Sequence, residues 1–250
     1  MKKIVYFIYG LATYTIALIG QIAFILYLTQ CEEMPRIIFM SQTLTTSMAV
    51  LVNVALVVLW GLQHTVMARG WFKAKITAFI PPVLERSTYV LFSGLVLLLF
   101  VLYWQPIDGM LWDVKNETLR LLLWSGFVVG WLFSVVATFV INHFELFGLQ
   151  QVYLHLLDKP TPTQDFTQKL FYKFIRHPIQ LGVLLGLWIT PVMNYGHLML
   201  SVLMSIYIFI GLYFEEKDLV EEIGEAYVAY KQRVGMMFPR GSEYENFIDK

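Results

Sequence analysis

The chain of 250 residues has few charged side chains, which make up 14% of it, whereas 58% of its residues are hydrophobic. Soluble domains carry about 25% charged residues, so this composition excludes an ordinary soluble domain. The single cysteine, Cys31, excludes an internal disulfide. Acidic and basic residues are equal in number, and we expect no nucleic acid partner. The sequence contains no internal repeat and no low-complexity tract, which favours a single membrane domain over 1–250.

The charged residues are bunched, and the stretches between them are long enough to cross a bilayer. A transmembrane helix needs about 20 apolar residues at about 1.5 Å per residue. The last charge-free stretch, 179–214, is long enough for two helices, because Asn194-Tyr195-Gly196-His197 is typical of a tight turn. The sequence therefore predicts an all-α integral membrane protein with six transmembrane helices, at about 4–29, 42–63, 87–105, 119–142, 179–194 and 197–214.

The distribution of Lys and Arg predicts the orientation of these helices. If the N-terminus is cytoplasmic, Arg36, Lys115 and Arg120 lie outside and the other 15 of the 18 Lys and Arg residues lie inside. The first apolar run has no small-residue cleavage site, so we expect it to be retained rather than removed as a signal peptide. Both termini and any active site are expected on the cytoplasmic face, in a multi-pass protein of the bacterial cytoplasmic membrane.

The segment after Phe214 is predicted to form one cytoplasmic amphipathic helix. Its apolar residues recur at spacings of three and four, as on one helix face. Such a helix lies on a membrane surface by default, and it could also close over a site. The apolar positions are Leu219, Ile223, Tyr227, Tyr230 and Val234.

Cationic and acidic residues stand at the two ends of the last predicted hairpin. Arg176 and His177 precede Pro178, which suits the first position of a helix, and the amides of a helix start can bind a carboxylate. Glu215 and Glu216 follow the second helix. Together they could hold a zwitterionic small molecule. The alternative is a positive-inside anchor and an interfacial acidic pair. Gly182 and Gly186 usually indicate close helix packing, and they could also admit a ligand.

The pattern Arg-His-Pro-x-x-x-Gly, a charge-free hairpin and then Glu-Glu-x-x-Leu-x-x-x-x-Gly-x-x-Tyr-x-x-Tyr resembles a signature of integral-membrane methyltransferases. This superfamily includes the isoprenylcysteine carboxyl methyltransferases and phospholipid methyltransferases. The resemblance implies that 141–240 binds S-adenosyl-L-methionine. Gln180 departs from the pattern, where Tyr is common. The cofactor-binding residues implied are Gln151, Arg176, His177, Gly182, Glu215, Glu216 and Tyr227.

Four upstream segments resemble the methanethiol S-methyltransferases more specifically. They read Gly-Leu-Gln-His-Thr-Val-Met-Ala-Arg at 61–69, Pro-Pro-Val-Leu-Glu-Arg-Ser-Thr-Tyr-Val at 81–90, Trp-Gln-Pro-Ile at 104–107 and Asn-His-Phe-Glu-Leu-Phe-Gly-Leu-Gln-Gln-Val at 142–152. The resemblance implies methyl transfer to a small thiol, with methanethiol converted to dimethyl sulfide. Within 1–140, the loop 64–86 would lie on the acceptor side. Membrane proteins of the NnrU type share the Gln-His-x-x-x-Ala-Arg pattern and represent a non-enzymatic alternative.

A thiol attacks as its thiolate, so the site needs a base and a cation that stabilises the anion. We expect His64 or His143 to act as the base and Arg69 or Arg86, of which we favour Arg86, to stabilise the thiolate. A zinc site from His64, His143 and His177 would lack a diagnostic spacing, and no metal is expected. A prenyl-cysteine carboxylate or a lipid remains the alternative acceptor. A transporter would more often place charges in mid-bilayer.

Overall fold

The computed structural model describes residues 1–29, 44–162 and 166–240, so Cys31 and Arg36 lie outside the described residues. Within these residues, nearly all regular structure is helical. In chain order the helices are α1 (Lys2–Leu28), α2 (Thr46–Ala68), α3 (Gly70–Ile76), α4 (Glu85–Tyr103), α5 (Glu117–Ile141), α6 (His143–Leu146), α7 (Leu149–Leu156), α8 (Pro178–Trp188), α9 (Tyr195–Ile223) and α10 (Glu225–Arg233). Short 3-10 turns cover Pro82–Leu84 and Leu170–Lys173, and two short strands are β1 (Met110–Asp113) and β2 (Val192–Asn194).

Five of the described helices are long and apolar enough to cross a membrane: α1, α2, α4 with its preceding turn, α5 and α9. This confirms a multi-pass helical membrane protein. The first four agree with the predicted segments within a few residues at each described end. Polar side chains accept hydrogen bonds from backbone N–H groups where three of the five long helices begin, namely Thr45 at α2, Asn116 at α5 and Asn194 at α9.

α1, α2, α4 and α5 run alternately up and down, and α9 runs in the same direction as α5, because the helix ends meet in two separate sets of contacts. At one end, Lys3 pairs with Asp158, Arg69 with Asp218 and Arg176 with Glu216. At the other end, the amide of Asn53 bonds the backbone of Gln105, and β1 pairs with β2 in antiparallel register. The first end carries the predicted cytoplasmic residues. Aromatic and aliphatic side chains from α1, α2, α4, α5, α8 and α9 form the largest buried cluster between the two ends.

The predicted fifth helix is wrong at its C-terminal end. α8 ends at Trp188, before Pro191, and residues that precede a proline disfavour the helical conformation. Its 11 residues extend about 16 Å, roughly half of a bilayer core. No tight turn forms at 194–197. Asn194 is the last residue of the strand β2 and caps α9, which begins at Tyr195. Among the described residues, helix length accounts for five crossings, and α8 is too short to make a sixth crossing by itself.

The single amphipathic helix predicted after Phe214 is also wrong. α9 continues without interruption past Glu215 and Glu216 to Ile223. Gly224 then adopts a φ of +71°, which side-chain-bearing residues rarely adopt, and α10 begins in a new direction. As a result, Glu215 and Glu216 lie inside a helix, and α10 folds back towards the start of α8.

Candidate functional site

Four charged or titratable side chains meet at the start of α8; we call Arg176, His177, Glu216 and Lys231 the clamp. Arg176 Nη2 lies 2.6 Å from Glu216 Oε1, and His177 Nε2 lies 3.0 Å from the same oxygen. Lys231 Nζ lies 2.8 Å from the other carboxylate oxygen. The Arg176 and Glu216 side chains are 5% and 4% exposed, whereas that of Lys231 is 42% exposed. Glu216 thus faces three basic side chains, two of them buried.

Backbone contacts fix the position of the clamp. The N–H of Arg176 donates to the carbonyl of Gly235 over 2.9 Å, and that of His177 donates to Met236 over 3.2 Å. Arg176 Nη1 donates to the carbonyls of Lys231 and Val234. The residues after α10 therefore lie directly beside the start of α8. The predicted meeting of the two ends of the hairpin is found here, and it involves α10 as well.

Glu215 and Tyr227 lie beside the clamp with unused polar groups. Glu215 is exposed and forms no ion pair with any residue that the structure describes. Its charge acts on His177 and on Tyr227. Tyr227 is 2% exposed, and its hydroxyl has no hydrogen-bond partner among the described residues. Burial raises the pKa of Tyr227 above its ordinary value, so the hydroxyl keeps its proton and can donate it in a hydrogen bond.

Gly182 packs α8 against α5. A Cβ atom at this position would lie 2.6 Å from the carbonyl oxygen of Gly130 and 2.6 Å from the backbone nitrogen of Ser134. That face of α8 is therefore filled by the backbone of α5, as expected for a small-xxx-small crossing. Gly182 lies behind the clamp and sets the position of α8. Gln180, in the first turn of the same helix, has no hydrogen bond to another described residue.

A second cluster lies between α2, α4 and α9; we call Trp60, His64, Tyr89 and Tyr207 the aromatic group. The His64 ring stacks on Trp60 at 4.8 Å between centroids, and Tyr207 packs edge-on against Trp60 at 4.9 Å. The Tyr89 hydroxyl lies 2.9 Å from both nitrogens of His64. One hydroxyl serves either nitrogen, so this contact does not fix which of them carries the proton.

Arg86 covers the aromatic group from the start of α4. Its guanidinium carbon lies 4.8 Å from the centre of the Tyr89 ring, and its Nε donates to the carbonyl of Leu146 over 2.7 Å. Ser87, the next residue, donates to the carbonyl of Gly148 over 3.0 Å. The turn between α6 and α7 thus holds the start of α4 in place. The terminal nitrogens of Arg86 have no hydrogen bond to a described residue.

Glu215 connects the clamp with the aromatic group along α9, because it directly precedes Glu216 and follows Tyr207 by eight residues. Since Tyr207, Gly211 and Glu215 are spaced by four, they lie on one face of α9, with about 12 Å between the first and the last. Glu215 therefore shares a face of α9 with the aromatic group, whereas Glu216 of the clamp, nine residues after Tyr207, occupies another face.

His143 is built into a different set of contacts. Its Nδ1 lies 2.7 Å from Thr138 Oγ1, whose proton is donated to the carbonyl of Val135, so Nδ1 carries the imidazole proton. Nε2 then accepts from the Tyr14 hydroxyl over 2.8 Å. Phe139 stacks on the ring at 4.1 Å. Both nitrogens are satisfied, which is the environment of a structural histidine that stays neutral.

Gln151 lies in α7, near the start of α4 rather than in the clamp. Its Nε2 donates to the carbonyl of Glu145 over 3.1 Å, and its buried Oε1 has no partner among the described residues. It lines a cavity of about 320 Å³ together with Pro82, Val83, His155, Lys159 and Thr161. The contacts of Gln151 in the described residues do not include the clamp.

The described part of the chain contains no group of three or more His, Cys, Asp or Glu residues placed to hold a metal ion. His64, His143 and His177 each belong to a separate set of contacts. The site instead combines buried charge, an exposed carboxylate and aromatic rings. Such a site can bind a zwitterionic molecule at the clamp and a small apolar molecule at the aromatic group.

Sequence reasoning missed Lys231, Trp60, Tyr89 and Tyr207. Trp60 and His64 are four residues apart on α2, so a helical wheel places them on one face and could have linked them. Tyr89 lies within one of the segments that carried the resemblance. No sequence signal connects Lys231 with Glu216 across the break at Gly224.

The chain is similar to several known proteins. Methanethiol S-methyltransferase 1 of Bradyrhizobium diazoefficiens is 41% identical over 240 residues, which cover 95% of this chain and 83% of that protein. Methanethiol S-methyltransferase of Mycobacterium tuberculosis is 39% identical over 239 residues, covering 96% and 98%. Nurim of Sus scrofa is 30% identical over 175 residues, covering 67% and 66%. No family model and no solved structure matches the chain.

Proposed function

Because the chain belongs to the family of the methanethiol S-methyltransferases, we propose that it methylates the sulfur of methanethiol, with S-adenosyl-L-methionine as the donor and dimethyl sulfide as the product. The observation that carries the proposal is the position of Glu215, which directly precedes Glu216 of the clamp and lies two helical turns after Tyr207 of the aromatic group on α9. Such an arrangement brings a zwitterion and a small apolar molecule together.

The residues near the clamp suit S-adenosyl-L-methionine, which carries a carboxylate, an amino group, ribose hydroxyls and a sulfonium. Glu215 has no ion-pair partner among the described residues and is available to an amino group or ribose hydroxyl. The buried Tyr227 hydroxyl is a further unused donor. Arg176, His177 and Glu216 form the frame, because the Glu216 carboxylate pairs with Arg176 and contacts His177, and Lys231 extends it towards solvent. Gly182 supports this frame from behind.

When bound, the donor would supply a methyl group from a sulfonium: the acceptor sulfur would bond to the methyl carbon as the bond to the sulfonium sulfur breaks, and S-adenosylhomocysteine would leave. The chain contributes positioning, exclusion of water and removal of the thiol proton. We assign proton removal to His64, whose two nitrogens exchange the Tyr89 hydroxyl as partner. Arg86 favours the thiolate through its charge, since a nearby cation lowers the cost of ionising a thiol. His143 is assigned a structural role, and Gln151 lies on the Arg86 side.

We further propose that the chain crosses the membrane six times, with both termini and the clamp on the cytoplasmic face of a bacterial cytoplasmic membrane. The pairing of Lys3 with Asp158 and of Arg69 with Asp218 supports a common side for these segments. In this topology α8 and the adjoining residues that lead into β2 together make the fifth crossing. The excess of Lys and Arg at this end agrees with the positive-inside rule.

The decisive experiment uses purified protein in nanodiscs. Dimethyl sulfide is measured in the headspace after addition of methanethiol and S-adenosyl-L-methionine, and binding of S-adenosylhomocysteine is measured by calorimetry. We expect product formation, and we expect a large loss of activity in His64→Gln and Arg86→Gln. A prenylated cysteine peptide and a phospholipid serve as competing acceptors. Methylation of either one without dimethyl sulfide would reassign the acceptor, and a lack of nucleoside binding would overturn the enzyme assignment.

A further inference from the structure

The indole nitrogen of Trp60 in α2 is a buried polar atom to which the proposed function assigns no role. Its Nε1 is buried and has no hydrogen-bond partner among the described residues. An indole N–H can only donate, and a buried donor without an acceptor is costly to the folded state. The ring is held firmly, since His64 stacks on it and Tyr207 packs against it. The fold thus retains an unused donor inside an aromatic group next to the proposed base.

Open space adjoins α9 one turn beyond Tyr207. A Cβ atom added at Gly211 would meet no other atom within 4 Å, although Gly211 stands one turn from both Tyr207 and Glu215. On the other side, Gly61 lies against the Tyr207 ring, where an added Cβ would come within 3.0 Å of Cδ2. The Tyr207 ring is therefore closely packed on the side of Gly61, and α9 leaves unfilled space at Gly211, one turn further towards Glu215.

We propose that this aromatic group is the acceptor pocket, in which the Trp60 indole N–H donates a hydrogen bond to the sulfur of the thiol and Tyr89 positions the imidazole of His64. This inference rests on the proposed thiol methyltransferase function and adds the binding site of the acceptor. Hydrogen bonds to an anion are stronger than those to a neutral group, so the indole favours the thiolate over the thiol. Aromatic faces also attract the positive charge of a sulfonium that approaches from the side of Glu215.

The pocket also explains selection of a small acceptor. Its walls are four rings fixed by stacking and by two hydroxyl contacts, of Tyr89 with His64 and of Tyr207 with Thr65 at 3.1 Å. Rigid rings leave little room for a long chain. A short alkyl thiol places its sulfur at the indole nitrogen and its alkyl group against the ring faces, and no charged side chain needs to move.

The test compares Trp60→Phe, which keeps an aromatic ring without the N–H, with Trp188→Phe as a matched control. Trp188 donates to Ser205 over 3.0 Å, outside the aromatic group. We expect the KM for methanethiol to rise about 10- to 100-fold in Trp60→Phe. The affinity for S-adenosylhomocysteine should stay unchanged in both variants. An unchanged KM for the thiol in Trp60→Phe, with an active wild-type protein, would overturn the pocket.

A second readout does not depend on turnover. In protein labelled with 5-fluorotryptophan, the fluorine resonance absent from Trp60→Phe is assigned to Trp60, and ethanethiol is added without cofactor. We expect this resonance to shift and the resonance of Trp188 to stay. If Trp60→Phe does not fold, Tyr207→Phe is measured instead. We expect the thiol-induced shift of the most responsive fluorine resonance to differ between Tyr207→Phe and the wild-type protein. A thiol-dependent shift in a protein that makes no dimethyl sulfide would keep the pocket and reject the proposed reaction.

Tyr89 is tested as a positioning residue. Tyr89→Phe removes the hydroxyl that contacts His64 and leaves the ring beneath Arg86. We expect kcat to fall about tenfold, the KM for S-adenosyl-L-methionine to stay constant and the pH profile of kcat to move. A fall in kcat with an unmoved pH profile would mean that Tyr89 only packs against its neighbours, and it would reject this part of the proposal.

Discussion

The Arg176 guanidinium and the Glu216 carboxylate form a buried ion pair across 40 residues of sequence, with Nη2 and Oε1 2.6 Å apart. The pair joins the start of α8 to the interior of α9, and His177 shares the same carboxylate oxygen. A buried carboxylate that contacts two buried basic side chains is part of the frame of the protein. The adjacent residue, Glu215, has an exposed carboxylate without an ion-pair partner among the described residues, so it is available to a ligand.

Glu216→Ala should therefore destabilise the protein strongly. It leaves Arg176 buried without its counter-charge, and removing one partner of a buried pair costs about 3–5 kcal/mol. The measurement is thermal unfolding in detergent. Asp218→Ala on the same helix is the control, because its pair with Arg69 is partly exposed and such pairs contribute about 0–1 kcal/mol. Equal shifts of Tm in the two variants would contradict the assigned role of Glu216.

Glu215→Gln should affect ligand binding rather than stability. The carboxylate is exposed and has no ion pair in the described structure, so its loss should leave Tm nearly unchanged. Loss of a charged contact to the ligand should weaken binding of S-adenosylhomocysteine about tenfold, or about 1.4 kcal/mol. Calorimetry gives the binding constant, with the exposed Glu221→Gln as the control. Unchanged binding in Glu215→Gln would remove Glu215 from the cofactor site.

Gly182→Ala should weaken the contact between α8 and α5. Its new methyl group would lie 2.6 Å from the carbonyl oxygen of Gly130, a backbone atom that cannot move aside independently. Overpacking of this kind costs about 1–3 kcal/mol. Gly211→Ala has open space and should be as stable as the wild type or slightly more stable. Thermal unfolding of both variants decides the point, and an unchanged Tm in Gly182→Ala would show that α8 is not closely held there.

His143 should make the stability depend on pH. Burial lowers the pKa of His143, because removal from water disfavours the charged imidazolium. Below the unfolded-state pKa of about 6.5, the unfolded chain binds a proton that the folded chain does not, so the free energy of unfolding falls as the pH drops. His143→Asn should be less stable at pH 7 and should lose less on acidification to about pH 5. An equal acid-induced loss of Tm in both proteins would assign the effect to another group.

The first four helices could be predicted because each is a long apolar run bounded by charges or capping residues, such as Thr45 and Asn116. The last part of the fold could not. α8 ends at Trp188 through a local effect of Pro191, and β2 forms only because β1 is there to pair with it, 80 residues earlier in the sequence. The break at Gly224 depends on a single backbone angle, which spacing patterns do not reveal.

The candidate site was predictable in the same uneven way. Arg176, His177 and Glu216 were recognisable by residue type and position, and the structure brings them together. Glu215 and Glu216 could not be distinguished, because their difference lies in which face of α9 each occupies. The aromatic group escaped prediction because aromatic residues are common in membrane helices, and three separate helices supply its members. His143 has the residue type of a base, and only its hydrogen bonds reveal that both nitrogens are in use.

The contact of Arg176 with the carbonyl of Val234, 58 residues later in the chain, has a consequence for biogenesis. During synthesis the start of α8 emerges well before the backbone that surrounds its guanidinium. Until α10 and the residues after it have been made, Arg176 must remain hydrated at the membrane surface. The clamp is therefore completed last, and a nascent chain that stops before Lys231 would insert its long helices yet lack a formed site. We therefore expect only chains that include α10 and the residues after it to bind the ligand.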